Sequence, residues 1–207
     1  MTLDDLARTH GLSNDEADKL ARFDALFTET AAHTNLVSRA TLPDRWTRHY
    51  ADSLQLWPLI PAGADTILDV GAGAGFPGLP LAILAEGRAP YRRFTLSDSV
   101  GKKAAFMASV IEALGLTNAA ATNARAETLP DRYGVVMARA VTALPKLLDL
   151  CVPRLAPGGT LILPKGARAE EELAAARERW QMEASLVQSQ TDADARILVV
   201  TRPERRA

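Results

Sequence analysis

The sequence has few of the features that mark several protein classes. Its single cysteine, Cys151, excludes an intramolecular disulfide bond. The formal net charge of −1 at pH 7 excludes the strongly basic surface of a general nucleic-acid-binding protein, so an RNA partner would need a local patch. No uncharged apolar run approaches the ~20 residues that cross a bilayer, and the first residues lack the basic and apolar regions of a signal peptide. We therefore expect a cytoplasmic protein without a membrane segment.

The motifs of several enzyme classes are also absent. The sequence has no Cys/His spacing of a metal site, no G-x-S-x-G nucleophile turn and no G-x-x-x-x-G-K-[ST] phosphate loop. Cys151 lies inside the apolar run "LLDLCVP", where it is expected to be a core residue rather than a nucleophile. We predict that the protein holds no metal.

The pattern of apolar residues divides the chain near Thr66. Before it the pattern is helical: Ser13 is a candidate N-cap with Glu16 three residues on, and a further helix is predicted from Pro43 towards Trp57. From Thr66 onwards short apolar runs alternate with helical ones. We therefore predict an N-terminal helical extension, residues 1–65, and one compact α/β unit, residues 66–207.

The alternation predicts a doubly wound, mainly parallel sheet with helices on both faces. Two late strands, "ASLVQSQ" and "RILVVT", are predicted to close the sheet as an antiparallel pair. The preceding strands are predicted in the order "TILDV", "FTLSD", "AAATN", "GVVMARA" and "GTLILPKG".

The stretch "LDVGAGAGFPG", Leu68 to Gly78, follows the first predicted strand and opens a helix. Ligands of such sheets bind beyond the carboxyl ends of the strands. Glycines let the backbone approach a ligand and adopt positive φ, and the first turn of the helix offers free N–H groups to an anion. The sequence therefore predicts a ligand at this loop, although a purely structural glycine turn is the alternative.

Two cofactors fit the loop. Gly73 to Gly78 matches the dinucleotide pattern G-x-G-x-x-G, with Asp98 about 20 residues further on. The same stretch also places Asp69 two residues before an alternating glycine series, and so resembles the first motif of S-adenosylmethionine-dependent methyltransferases. We favour the second interpretation because the glycines begin directly after the strand, and no separate domain is left for a hydride acceptor. An NAD-dependent oxidoreductase remains one alternative, and a non-catalytic RNA-binding or cofactor-sensing module is the other.

A longer set of strings carries a more specific resemblance. In order, these are "HYADSLQLWPLI", "LDVGAGAGFPGLPLAI", "LSDSVGKKAAFM", "NARAETLP", "ARAV" and "LPKG", from about Asn35 to Gly166. They resemble the bacterial small-subunit rRNA guanine-N7 methyltransferases, the RsmG or glucose-inhibited division protein B family. The resemblance implies a class I, Rossmann-like methyltransferase that uses S-adenosylmethionine to methylate N7 of a guanine in 16S rRNA. Its partner would be 16S rRNA or the small ribosomal subunit, not DNA.

The same resemblance implies roles for individual residues. Asp98 would hold the cofactor ribose, and Ala126 and Glu127 would contact the adenine. Arg139 would lie beside the cofactor and the target base as the catalytic residue; the family commonly has a serine before it, where this chain has Ala138. The cofactor-binding residues implied in this way are Gly71, Gly73, Gly75, Phe76, Asp98, Ala126, Glu127 and Arg139.

Structural roles for some of these residues remain open alternatives. Asp69 could cap the glycine loop, and Glu127 could be a solvated loop carboxylate. Arg139 ends an apolar strand, where a charge is costly unless it is paired.

The candidate RNA patch consists of basic residues of the N-terminal segment and of the loop ends: Arg39, Arg45, Arg48, Lys102, Lys103, Lys165 and Arg168.

Guanine N7 is a methyl acceptor that needs none of the catalytic motifs absent from this sequence. Cytosine C5 methylation needs a cysteine nucleophile, and exocyclic amine methylation commonly uses an Asn-Pro-Pro-Tyr-type loop, whereas this chain has "ARAVTALP" after the fourth strand. Guanine N7 carries an in-plane lone pair at neutral pH, so in-line positioning against the sulfonium methyl is sufficient. We therefore predict an enzyme without an essential general base.

Overall fold

A seven-stranded sheet forms the centre of the molecule, in a computed structural model that describes residues 1–206 apart from the side chain of Arg39. The strand order is β3-β2-β1-β4-β5-β7-β6. The strands are β1 Thr66–Val70, β2 Arg93–Ser97, β3 Ala119–Thr122, β4 Tyr133–Ala138, β5 Leu155–Lys165, β6 Trp180–Gln188 and β7 Arg196–Arg205. The helices are α1 Leu3–His10, α2 Asn14–His33, α3 Asp52–Leu54, α4 Gly78–Arg88, α5 Gly101–Leu114, α6 Leu144–Cys151 and α7 Ala169–Arg177.

The first five strands pair in parallel, and the last two close the sheet in antiparallel pairing. This confirms the predicted doubly wound sheet and its closing antiparallel pair. The chain returns from the β2–β3 side to the β4–β5 side next to β1, so β1 and β4 flank the point where the strand order reverses. Ligands of open α/β sheets bind at this point, beyond the carboxyl ends of the strands.

The N-terminal helices are stabilised by local caps and by contacts with the sheet-covering helices. Ser13 and Glu16 form a capping box at the start of α2, as the sequence predicts. The carboxylate of Glu16 also accepts two hydrogen bonds from Arg88, at 2.6 and 2.9 Å. Phe23 and Phe27 on α2 are fully buried, so one face of α2 belongs to the core.

The helix predicted from Pro43 to Trp57 is not regular. A π-helix, Trp46–Ala51, is followed directly by α3, and a 3-10 turn covers Trp57–Leu59. The predicted helix is therefore present from Trp46 to Leu54, shorter than predicted and π-helical in its first part, where His49 and Tyr50 are buried. Short π-helical segments occur frequently at functional sites.

The core has two parts, one on each face of the sheet. One cluster joins extension residues such as Leu20 and Tyr50 to Ile67 of β1 and to residues of α4 and α5. The other cluster lies under α6 and α7 and contains Cys151, which is fully buried as predicted. Burial raises the pKa of the Cys151 thiol to about 12, so the thiol is neutral and serves packing.

Candidate active site

The glycine loop connects β1 to α4. Gly71, Gly73 and Gly75 have φ values of +66°, +61° and +93°, a backbone region that side chains with a β carbon rarely adopt. A β carbon at Gly75 would also lie 2.3 Å from Cδ1 of Leu79. A β carbon at Gly73 would meet only the carbonyl oxygen of Gly71, at 3.9 Å. The space that a side chain at position 73 would fill is therefore open to a ligand. Glycine at position 75, in contrast, is required by packing against α4.

Asp69 fixes the two ends of this loop to each other. Its Oδ2 accepts a hydrogen bond of 2.8 Å from the backbone N–H of Gly78, the first residue of α4. A β carbon at Gly78 would lie 2.9 Å from the same oxygen, so this approach requires glycine. Burial raises the pKa of Asp69 to about 7, although the Gly78 N–H opposes the shift. Asp69 thus caps the loop from behind, the structural role left open by the sequence.

Asp98 follows β2 and lies against the glycine loop. Its Oδ2 accepts a hydrogen bond from the N–H of Gly73 at 2.9 Å, and its Oδ1 accepts one from the N–H of Val100 at 2.8 Å. A carboxylate has about four acceptor positions, so two remain for the hydroxyls of a ligand.

The segment after β3 is held beside Asp98. The hydroxyl of Ser97 donates to the carbonyl of Ala124 at 2.7 Å, and Asn123 Nδ2 donates to the carbonyl of Asp98 at 3.0 Å. The 3-10 turn Ala126–Thr128 follows, with Ala126 buried and Glu127 exposed. Both residues lie on the loop next to β2, at the carboxyl edge of the sheet.

Arg139 directly follows β4, and its charge is paired. Its Nη1 donates to Oδ2 of Asp52 at 3.0 Å and to the carbonyl of Arg48 at 2.9 Å. Its Nη2 bonds to Nδ1 of His49 at 3.3 Å, and the guanidinium lies 5.7 Å from the centre of the Phe76 ring. The residue predicted to be catalytic is therefore held by the N-terminal extension.

His49 is a neutral acceptor in this arrangement. An arginine can only donate, so Nδ1 accepts from Arg139 and the ring proton is on Nε2, which faces Thr41 Oγ1 at 3.1 Å. Burial, and then the charges of Arg139 and Arg48, lower the pKa of His49 to about 4. The ring also stacks on Phe76, with centroids 5.0 Å apart. His49 therefore orients Arg139, and its lone pair is occupied rather than available to take a proton from a substrate.

An open cavity of about 980 Å³ lies at this edge of the sheet. Gly71, Gly73, Phe76 and Arg139 line it, so the structure brings these predicted residues together. The remaining predicted residues do not line the cavity: Gly75, Asp98, Ala126 and Glu127. Of these, Asp98 is joined to the wall by its bond to Gly73.

The candidate RNA patch is only partly available. Arg45 makes a two-point ion pair with Asp24, at 2.7 and 2.9 Å, and Lys165 pairs with Glu172 at 2.9 Å. The side chain of Arg39 lies outside the described residues. The patch members that line the cavity are Arg48, Lys103, Lys165 and Arg168.

Sequence analysis gave no role to His49 and Asp52, which lie in the string "HYADSLQLWPLI", and it did not identify the β6–β7 loop as part of the site. Ser189, Thr191 and Asp192 of this loop line the cavity. No motif marks this polar segment, and its position depends on how the closing hairpin folds back. Only the structure places it at the site.

Within residues 1–206, no group of three or more His, Cys, Asp or Glu side chains is arranged to hold a metal ion. None of the helices described there has the length and apolar character needed to cross a membrane.

The fold is that of class I S-adenosylmethionine-dependent methyltransferases. An O-methyltransferase from Bacillus cereus, solved in complex with SAH, superposes with a TM-score of 0.58 at 16% identity, covering 87% of this chain and 91% of that one. A SAM-dependent methyltransferase from Aquifex aeolicus also gives a TM-score of 0.58, at 16% identity, covering 77% and 92%. These structures match the predicted fold class.

The family is defined by sequence. A family model described as "GidB: rRNA small subunit methyltransferase G" matches residues 16–198, and the chain belongs to this family. Relatives named ribosomal RNA small subunit methyltransferase G are 42% identical in Cereibacter sphaeroides, covering 90% of this chain and 91% of the relative, and 40% identical in Rhodospirillum centenum, covering 94% and 88%. The predicted family is confirmed. These comparisons support neither the oxidoreductase nor the non-catalytic module.

Proposed function

We propose that this protein transfers the methyl group of S-adenosylmethionine to N7 of a guanine in 16S rRNA. The observation that carries the proposal is the glycine loop with open space before Gly73, joined to Asp98 and opening into one cavity with Arg139, in a chain of this family. The names of the relatives support small-subunit rRNA as the substrate, and the fold supports S-adenosylmethionine as the cofactor.

The residues around the loop fit this cofactor. When bound, it supplies a methyl group on a positively charged sulfur. Gly73 allows the backbone to approach it, and Gly71 supplies the positive φ that shapes the loop. Asp98 has acceptor positions free for its ribose hydroxyls. Ala126 and Glu127, on the turn beside Asp98, would contact its adenine. Phe76 and Gly75 hold the loop in shape through their packing.

The chemistry of guanine N7 matches what the cavity offers. N7 has a lone pair and no proton, so its methylation needs orientation and no base. His49 presents its free lone pair to Arg139, and Asp69 is buried behind the loop, so neither side chain is placed to take a proton from a base in the cavity. Arg139 is the residue we propose to orient the guanine, through O6 or a flanking phosphate.

The RNA backbone would be bound by cations of the cavity wall that form no ion pair within residues 1–206. Arg48, Lys103 and Arg168 line the cavity, in a chain with a net charge of −1. Phosphate binding confined to this rim explains how such a chain could bind RNA without a basic surface. We propose that the partner is RNA rather than DNA and that the protein holds no metal. We also propose that it acts in the cytoplasm, where the small subunit is found.

We also propose that residues 1–65 act as an extension of the unit 66–207 and not as an independent domain. One hydrophobic cluster contains residues from both parts, and Asp52 and Arg139 pair across the boundary. The two parts should therefore unfold together. Separate transitions, seen by the fluorescence of Trp46 in a Trp57→Phe/Trp180→Phe variant and by the circular dichroism of the sheet, would contradict this proposal.

The proposed function is tested by mapping methylated guanines in 16S rRNA from cells with and without the protein. Purified protein should also transfer labelled methyl to small subunits or naked rRNA, and the product should cleave at the modified guanine after borohydride and aniline treatment. Calorimetry should show binding of S-adenosylmethionine and none of NAD. Label on an exocyclic amine, a ribose or a pyrimidine carbon would contradict the assignment, and binding without transfer would favour a non-catalytic module.

A further inference from the structure

Asp52 connects three segments around the cavity, its own segment included. Its Oδ2 accepts from Nη1 of Arg139 at 3.0 Å. Its Oδ1 accepts from the Thr191 hydroxyl at 2.9 Å and from Nε2 of Gln55 at 2.8 Å. One carboxylate thus joins the extension, the end of β4 and the β6–β7 loop.

Gln55 supports the same arrangement from one turn further along the chain. This side chain is buried, and its Oε1 accepts from the backbone N–H of Gln190 at 2.7 Å. Its Nε2 also lies 3.3 Å from the Ser189 hydroxyl. The loop that brings Thr191 to Asp52 is therefore fixed by a second, independent contact.

The contacts of Arg139 leave part of its guanidinium available. Within residues 1–206, its bonds to Asp52, to the Arg48 carbonyl and to His49 use three of the five donor hydrogens. The hydrogen on Nε and one on Nη2 remain for a ligand in the cavity that Arg139 lines. Because the guanidinium is planar and rigid, fixing Nη1 also fixes the direction of these two donors.

We propose that Asp52 is a positioning residue, whose carboxylate, braced by Thr191 and Gln55, directs the free donors of Arg139 at the methyl-accepting base. This inference rests on the proposed function. Asp52 supplies the negative charge in this set of contacts, because the Arg48 carbonyl and the neutral His49 provide dipoles alone. An uncharged side chain at position 52 would leave Arg139 partly held and less well directed.

The test compares Asp52→Asn and Thr191→Val with the wild-type protein. Asp52→Asn keeps the shape of the side chain and removes its charge; Thr191→Val removes the brace and leaves Asp52 in place. The matched control is Asp194→Asn, which removes the same charge from an exposed residue of the same loop. For each protein, kcat and KM are measured with small subunits, and the Kd of S-adenosylmethionine is measured by calorimetry.

We expect Asp52→Asn to lower kcat at least about tenfold, since misorientation of a positioned group is costly to the reaction rate. The Kd of S-adenosylmethionine and the KM for the subunit should stay within about twofold, because Asp52→Asn leaves the glycine loop and Arg139 in place and changes only the direction of the guanidinium donors. Thr191→Val should show a smaller fall in kcat in the same direction. Asp194→Asn should behave as wild type.

A higher KM with unchanged kcat would overturn the positioning role, as would a loss of cofactor affinity equal to the loss of kcat. A double-mutant cycle of Asp52→Asn and Arg139→Gln, measured by urea unfolding, tests the pair without any activity. A coupling of zero would overturn the proposal from the structural side. If the wild-type protein transfers no methyl group, the proposed function fails and the positioning role with it. An active wild type with unchanged kcat in Asp52→Asn overturns the positioning role alone.

Discussion

The backbone N–H of Gly73 donates a hydrogen bond of 2.9 Å to Oδ2 of Asp98, which joins the loop after β1 to the end of β2. The proposed anchor of the cofactor ribose therefore also shapes the loop that would carry the methionine part. Binding of the ribose at Asp98 and binding of the methionine part at the loop should depend on each other, since a shift of Asp98 would move Gly73.

Substitution of Asp98 should lower the affinity for the cofactor more than it lowers the stability of the fold. Hydrogen bonds to a charged group contribute about 1.5–3 kcal/mol each, so Asp98→Ala should lower S-adenosylmethionine affinity at least about tenfold. Isothermal calorimetry measures the affinity, and Asp18→Ala, on the exposed side of α2, is the control. An Asp98→Ala protein that is folded and binds as wild type would remove Asp98 from the site.

Retaining the charge at position 139 should not retain the activity. A lysine ammonium lacks the planar fork with which Arg139 bonds Asp52, His49 and the Arg48 carbonyl together. Arg139→Lys should therefore lose most of the methyl transfer to small subunits, measured with labelled cofactor. Arg177→Lys, at an exposed position of α7, should keep it. Full activity in Arg139→Lys would show that only the charge matters.

His49 should make the protein less stable in mild acid. Its pKa is about 4 in the folded state against 6.5 as the ordinary value, so between these pH values the unfolded chain binds more protons. The free energy of unfolding should therefore rise as the pH rises from about 4 to 6.5, by about 2–3 kcal/mol from this residue. Urea unfolding across this range should show a flatter profile for His49→Gln. An equal slope in both proteins would exclude His49 as the cause.

Asp69 should act in the opposite direction. Its pKa of about 7 in the folded state lies above the ordinary 3.8, so the folded protein binds more protons between these values and loses stability as the pH rises. Asp69→Asn keeps an acceptor for the Gly78 N–H and stays neutral. Relative to wild type it should gain stability from about pH 4 to 7, by up to about 4 kcal/mol. Asp65→Asn, exposed just before β1, is the control, and a difference that does not change with pH would contradict this account.

Binding of rRNA should be salt-dependent through a few cations. Each phosphate contact on single-stranded RNA contributes about −0.7 to the log–log slope of affinity against salt. Arg48→Ala and Lys103→Ala should each reduce the slope by about this amount in filter binding, whereas Arg177→Ala should not. Arg45 is a poor test, because its ion pair with Asp24 holds the extension together. A slope that is unchanged in both variants would place the RNA elsewhere.

The sheet and the glycine loop were predictable because their signals are local. Strands such as Thr66–Val70 are short apolar runs between turns, and the positive φ of Gly71, Gly73 and Gly75 explains the alternating glycines. The family resemblance then supplied the candidate role of Arg139. The strands and the glycine loop thus depend on residues that are neighbours in the chain.

The contacts of the site were not predictable, because they join distant segments. Asp52 and Arg139 are 87 residues apart, and Asp52 and Thr191 are 139 residues apart. The π-helix from Trp46 to Ala51 also has no sequence signal, and its Tyr50 packs against Phe76 on the distant glycine loop. Arg45 was expected at an RNA surface because it lies among other basic residues, and its ion pair with Asp24 on another helix has no sequence signal.

The hydrogen bonds of Asp52 have a consequence for how sequences of this family can diverge. A carboxylate at position 52, a guanidinium at position 139 and a hydroxyl at position 191 satisfy one another, so a change at one position leaves a charge or a polar group of the other two without its partner. These positions should therefore change together among homologues, although they are spread over most of the chain. Insertions in the β6–β7 loop should be confined to the residues beyond Thr191, since its start is tied to Gln55 and Asp52.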